Sequence, residues 1–283
     1  EGMASLTIYM ASIFYDFEID GQASTETAFD VERTSLSQHE AWAYRNLFIR
    51  KADPHCSSIK QTLEFLATQT ENSNALLVFS LWTTSLLSEG MKDILSASGR
   101  MPILFETFDG YSQQITIAYE GSIIETYKQL VAEAKDVKPG SQHYDELVEQ
   151  LQIGERIWVH PNTHHRFLLL ICGEINCITS GGSSRNPVEW DRRVFKVDPI
   201  HEYQVDCVLN PSHTNFRPQA IRDKQRYLSG DGRTVGSCNN LYSGLKNSGK
   251  GSSRTTNFCW QNGRGLERPS ITNRPSVMKI SLA

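Results

Sequence analysis

No Cys-x-x-Cys pair occurs in this sequence, and its six cysteines (positions 56, 172, 177, 207, 238 and 259) are scattered. They are too few for a disulfide scaffold at this length, and without paired spacing the usual sign of a zinc site is missing. No other spacing suggests a metal or a cofactor. The chain also lacks an excess of one charge. Its 28 Lys and Arg against 32 Asp and Glu leave a net charge of −4, with no global pull toward nucleic acid. The imbalance is local, since from Arg217 onward 12 basic residues stand against 3 acidic ones. That basic region contains no recognised nucleic-acid motif and reads as a solvated face. Missing too is an apolar run long enough to cross a bilayer. Leu6–Tyr15 is apolar but has neither a basic flank nor a small-residue cleavage site, so it reads as a strand rather than a signal peptide. Glu1-Gly2 reads as a remnant ahead of Met3. The expectation is a soluble cytoplasmic protein with reduced thiols, no membrane association and no nucleic-acid partner.

What is present is enough apolar material for a substantial core: 39% of residues are hydrophobic and 10% aromatic. Short apolar runs alternate with helical patterns. Strands are expected at Leu6–Phe14, Asn74–Phe79, Pro102–Glu106, Arg156–Val159, Tyr203–Leu209, Arg233–Cys238 and Val277–Leu282. Gln113–Tyr119 and Ser122–Tyr127 flank Glu120-Gly121 and predict a hairpin with Lys128 just beyond it. Helices are expected from Ser37 to about Lys51, from Ser57 or Ser58 through Ala67, over Leu86–Ser98 and Tyr144–Leu151, near Val188–Arg193, and over Ile221–Leu228. Polar, turn-prone residues fill 16–36, 180–187 and 243–256. With no internal repeat and no long linker, residues 4–283 read as a single α/β domain.

The most informative stretch is Phe167-Leu168-Leu169-Leu170-Ile171-Cys172-Gly173-Glu174-Ile175-Asn176. A buried strand would carry Cys172 to the carboxyl edge of a sheet, where open α/β folds collect ligands. A thiol there, followed by a glycine that frees backbone N–H groups to face a substrate, suits a nucleophile beside an oxyanion pocket. A buried structural cysteine would leave the same trace.

Order along the chain adds a second argument. Gly121-Ser122-Ile123-Ile124-Glu125-Thr126-Tyr127-Lys128 precedes Ile171-Cys172-Gly173-Glu174. Asp206-Cys207-Val208-Leu209-Asn210-Pro211-Ser212 and Gly232-Arg233-Thr234-Val235 follow. The sequence thereby resembles the carbon–nitrogen hydrolase (nitrilase and amidase) superfamily from about Leu6 to Asn240. The resemblance implies a four-layer α-β-β-α sandwich and a Glu–Lys–Cys set. In that set Cys172 is the nucleophile that forms an acyl-enzyme with a small amide or nitrile, and Lys128 is its cationic partner. It also implies a homodimer and no cofactor. A nearby ammonium suits the chemistry independently, because it favours thiolate and stabilises an oxyanion.

One element of the set is missing. The family places its first Glu in a turn after the second strand, and here that strand runs Val78-Phe79-Ser80-Leu81-Trp82, with no carboxylate. Glu106, at the end of a neighbouring strand, is the candidate replacement base. Glu146 or Glu149 matches the second family Glu, with Glu149 placed among the substrate-binding candidates. Gly173, Glu174 and His213 complete that group. His164-His165 are not read as metal ligands, because neighbouring side chains on a strand point apart. Two readings remain: a thiol amidohydrolase with a relocated base, and a catalytically weakened relative that binds a ligand or protein.

Overall fold

The computed structural model describes residues 4–12, 14–15, 18–19, 22–23, 56–69, 74–81, 84–85, 89–108, 113–131, 136–179, 188–212, 218–238, 241–242, 257–266 and 276–283. The expected helix from Ser37 to Lys51, the 180–187 and 243–256 loops, and nearly all of the 16–36 stretch lie outside these residues.

The apolar strands are buried on both faces, and alternation along each one sorts its side chains between two cores. Phe167, Leu169 and Ile171 enter one cluster with the strands of a facing sheet. Leu168 and Leu170 enter a second cluster beneath helices. Period-two sorting of this kind is what a strand inside a layered sandwich requires.

Seven strands form the first sheet among the described residues. Six lie in the spatial order β12-β1-β2-β3-β4-β5: β1 (Leu6–Ser12), β2 (Ala75–Phe79), β3 (Ile103–Phe108), β4 (Gln113–Tyr119), β5 (Ser122–Lys128) and β12 (Ser276–Leu282). The two-residue strand Thr84–Ser85 pairs with β3 as the seventh. The second sheet has the order β6-β7-β8-β9-β10-β11: β6 (Ile157–Val159), β7 (Arg166–Leu169), β8 (Cys207–Leu209), β9 (Thr234–Cys238), β10 (Asn257–Gln261) and β11 (Arg264–Gly265). Both sheets run through the same sequence of pairings: antiparallel, parallel, parallel, antiparallel, antiparallel. They approach closely at β9, where a Cβ added to Gly236 would lie 3.2 Å from the Met10 sulfur of β1.

Helices cover the outer faces. On the first sheet lie α1 (Cys56–Gln69), which buries Ile59 and Leu66, and α2 (Glu89–Ala97), which buries Met91 and Ile94. Phe65 of α1 is 40% exposed. On the second sheet lie α3 (Gln142–Gln152), the short α4 (Pro199–Glu202) and α5 (Pro218–Leu228); Tyr144, Leu147, Ile200 and Leu228 enter its core. The result is the expected α-β-β-α layering.

Three local expectations are corrected. Val188–Arg193 is not helical: Glu189–Trp190 is a short strand, and the Asp191 carboxylate and carbonyl then gather the N–H groups of Arg193, Val194 and Phe195 into turns. Tyr203–Leu209 is strand only over Cys207–Leu209, because α4 and a turn with Gln204 at φ +51° occupy the preceding residues. The strand expected to run up to Cys172 ends at Leu169. The hairpin is as expected. Glu120 (φ +53°) and Gly121 (φ +77°) both take the left-handed backbone that a tight two-residue hairpin turn demands.

Candidate active site

Beyond Leu169 the chain stays tied to the neighbouring strand end before it turns. The Leu170 N–H donates to the Leu209 carbonyl at 3.0 Å and the Cys172 N–H to the Pro211 carbonyl at 2.9 Å. Cys172 then adopts φ +47°, a left-handed conformation unusual for a residue with a Cβ, and begins a 3-10 helix over Cys172–Cys177. Such backbone costs on the order of 1–3 kcal/mol and persists only where its surroundings hold it. Two side chains do so. The Asn210 amide donates to the carbonyls of Leu170 (2.6 Å) and Cys172 (3.2 Å). The Glu174 carboxylate turns back to accept the Ile171 N–H at 2.8 Å, while the Glu174 N–H donates to the Ile171 carbonyl. Cys172 ends up 6% exposed at the carboxyl edge of the second sheet.

Glu174 has no exposed surface, and its two oxygens hold four N–H donors. Besides Ile171, the Leu130 N–H donates at 2.8 Å, and Arg156 donates Nη1 to Oε2 at 3.1 Å and Nη2 to Oε1 at 3.2 Å. Arg156, itself 1% exposed, also donates Nη2 to the Lys128 carbonyl at 2.8 Å and Nε to Gln150 at 2.8 Å. Burial pushes the Glu174 carboxyl above the ordinary range, against the pull of the guanidinium and the two backbone N–H groups. Expected among the substrate contacts, Glu174 is instead occupied within the fold. Its pair with Arg156 joins the main chain at Lys128–Leu130, where β5 ends, to the main chain at Ile171. The side chain of Lys128 is exposed.

Leu81 and Cys172 meet the same turn. The Leu81 N–H donates to the Ser212 carbonyl at 3.3 Å, one residue from the Pro211 carbonyl that receives Cys172. Leu81 is completely buried in the core cluster that includes Cys172. Glu106 is 3% exposed and lies within β3 opposite Ile115, because the strand runs on to Phe108 rather than ending at 106. Gly173 is buried within the 3-10 helix. Glu149 is exposed on α3, and the Glu146 carboxylate accepts from Gln150 at 3.4 Å. His213 lies outside the described residues. His165 is buried and His164, at φ +61°, is exposed; both precede the strand that begins at Arg166 rather than lying on one.

Burial acts on four of the other thiols. It pushes Cys259 up to about 12 and raises Cys177, Cys207 and Cys238 further. Thiols held protonated in this way are poor nucleophiles. Among the described residues no cluster of His, Cys, Asp or Glu is arranged to hold a metal, and no helix is long and apolar enough to cross a membrane.

The sequence reading missed Arg156 and the Asn210 amide. Asn210 did carry a signal, since Asn-Pro at a strand end breaks the ladder and presents a side chain there. Arg156 carried none beyond its place before a short apolar strand.

No protein-family model matches the sequence, and no curated protein matches it. Solved structures do match in shape. A Glu-to-Leu variant of the amidase from Nesterenkonia sp. AN1, with the acetamide moiety of fluoroacetamide covalently added at its active-site cysteine, has a TM-score of 0.52 at 10% identity. The match covers 98% of this chain and 90% of that one. The amidase structure from Nesterenkonia sp. gives 0.50 at 8% identity, with the same coverage. A glutamine-dependent NAD+ synthetase from Acinetobacter baumannii gives 0.49 at 13% identity, and this chain, covered over 99%, spans 46% of its length. Two helix-covered mixed sheets, matched over nearly the whole chain, give this protein the α-β-β-α fold of these amidases.

Proposed function

We propose that the protein is a thiol amidohydrolase acting on a small amide or nitrile, with Cys172 as nucleophile and Lys128 as its cationic partner. The observation that carries this reading is the placement of Cys172. It lies just beyond a buried strand that ends at Leu169, in left-handed backbone, and the Glu174–Arg156 pair ties the main chain before it to the end of the Lys128 strand. In the amide case the thiolate adds to the carbonyl carbon, and the oxyanion is met by the ammonium and by the Gly173 N–H at the start of the 3-10 helix. Collapse expels the amine with a proton and leaves a thioester, which water hydrolyses. Glu106 is the base that would deprotonate the incoming water, with His213 and Glu149 as further substrate contacts. The protein works in the cytoplasm as a homodimer, with no metal or cofactor.

Leu81 favours a second reading. An apolar, fully buried side chain stands beside the Cys172 turn, where the resemblance calls for a carboxylate. Loss of general acid–base help costs about 10²–10⁴ in rate. A protein so impaired would bind an amide ligand or a protein partner and turn over weakly. The Glu-to-Leu amidase variant, of similar fold, carries a covalent adduct on its cysteine, which supports alkylation of a thiol in this fold with a Leu in place of one Glu.

One experiment separates the readings. The intact protein is treated with limiting fluoroacetamide or iodoacetamide and the labelled thiol is mapped by mass spectrometry; ammonia release from simple amides is measured in parallel. Cys172 is expected to label first, and ammonia release, where present, to vanish in Cys172→Ala. Labelling of Cys172 no faster than the other five cysteines would overturn both the nucleophile and the amidohydrolase reading. Fast labelling without ammonia release selects the impaired reading.

A further inference from the structure

We infer that Arg156 and Glu174 are positioning residues that set the distance between the Lys128 ammonium and the Cys172 thiol by clamping their two main-chain segments together. The inference rests on the amidohydrolase reading and gives a task to the buried pair that the reaction itself leaves unused.

The clamp has a definite form. One carboxylate accepts from Leu130, two residues beyond Lys128, and from Ile171, the residue before Cys172. One guanidinium holds that carboxylate through both terminal nitrogens and with one of them also holds the Lys128 carbonyl. A planar fork with fixed donors can make these contacts together, and a lysine cannot. Isolated stability is a weak reason for such a pair, because buried ion pairs contribute little over apolar replacements of similar volume. Fixing a register between two segments is the better-attested use. The segments come from different sheets, β5 at the edge of the first and the β7 extension in the second, so no strand pairing sets their separation.

The test is the pH profile of Cys172 alkylation by iodoacetamide, read by mass spectrometry on the full chain. The variants are Glu174→Gln, the apolar double variant Arg156→Met/Glu174→Leu, Lys128→Met, and Lys128→Met combined with Glu174→Gln. Thermal unfolding confirms that each is folded. If the clamp acts through Lys128, the alkylation midpoint in Glu174→Gln and in the apolar double variant moves upward relative to wild type. The rate at pH 7 falls about tenfold. Direct charge effects predict otherwise. Removing the Glu174 anion alone would lower the midpoint, and removing both charges would leave it nearly unchanged. Lys128→Met should raise the midpoint similarly, and adding Glu174→Gln to it should raise it no further, the non-additivity of residues that act through one another. A folded clamp variant with the wild-type profile, or an undiminished Glu174→Gln shift in the Lys128→Met background, overturns the inference. A wild-type Cys172 that reacts no faster than the other buried thiols overturns the nucleophile reading itself.

Discussion

Lys224 offers a prediction whose sign is fixed by linkage. Its side chain enters the protein from α5, is 5% exposed, and donates to the Asn176 side chain at 2.8 Å, within the 3-10 helix that begins at Cys172. Burial lowers its pKa from 10.5 to about 8, with an opposing pull from Cys177. Between those two values the unfolded chain binds a proton that the folded chain releases, so this residue makes stability rise with pH from about 8 to about 10.5. Below about pH 8 the folded state carries the whole penalty, on the order of 3 kcal/mol at 1.36 kcal/mol per unit. Lys224→Met keeps the length of the side chain and removes the charge. The partly exposed Asn176 amide then turns to water, a loss of about 1 kcal/mol. The variant should therefore be more stable than wild type by roughly 2 kcal/mol at pH 7. That advantage should disappear as the pH is raised to 10.5. Urea unfolding of both proteins at several pH values between 6.5 and 10.5 gives the difference directly. The buried thiols, which destabilise the fold above their ordinary range, act in both proteins and largely cancel in the subtraction. A difference that stays constant across this window would refute the assignment of a buried, destabilised ammonium.

Glu106→Gln should lower any amide turnover by about 10²–10⁴ while leaving Cys172 alkylation in place, as measured by ammonia release beside mass mapping. Turnover that survives this change excludes Glu106 as the base. Leu81→Glu places a carboxylate at the Cys172 turn and should raise ammonia release above the wild-type level, at a cost of roughly 1–3 kcal/mol in unfolding free energy for burying a polar group. Unchanged turnover in folded Leu81→Glu would show that a carboxylate there is not what activity lacks. Gly154→Ala should destabilise by about 1–3 kcal/mol in urea unfolding, through its left-handed backbone and overpacking. Its new Cβ would lie 2.8 Å from the Tyr203 ring, whose hydroxyl is held by the Gln152 carbonyl and cannot swing aside.

The layered fold was legible because its evidence is local. Apolar runs of strand length, helical spacing such as Ile59 and Leu66, and the Glu120-Gly121 turn each declare themselves within a few residues. What happens after Leu169 depends on partners far along the chain. The carbonyls of Leu209 and Pro211, the Asn210 amide and the Arg156 guanidinium decide that Cys172 turns rather than continues in strand, and sequence spacing has no access to those contacts. Arg156 was hidden for a related reason. A charged side chain is by default a surface one, and only the simultaneous placement of Glu174, Lys128 and Gln150 around it makes its burial possible. The helix expected at Val188–Arg193 fails on a local competition, since an aspartate side chain can draw nearby N–H groups into a turn.

The pairing of β1 with β12 carries a consequence for how the chain is made. Leu6–Ser12 is synthesised well before Ser276–Leu282, the strand that fills one of its flanks in an unbroken register from Leu6↔Leu282 to Ser12↔Ser276. Throughout elongation that flank stays open, with the backbone groups and the apolar side chains of a nascent sheet available to any other extended segment. Contacts of such long sequence separation also form slowly, since the intervening chain must first be gathered in. A nascent protein of this design would depend on chaperone shielding until Ser276–Leu282 arrives, and removing that strand would leave the same flank exposed.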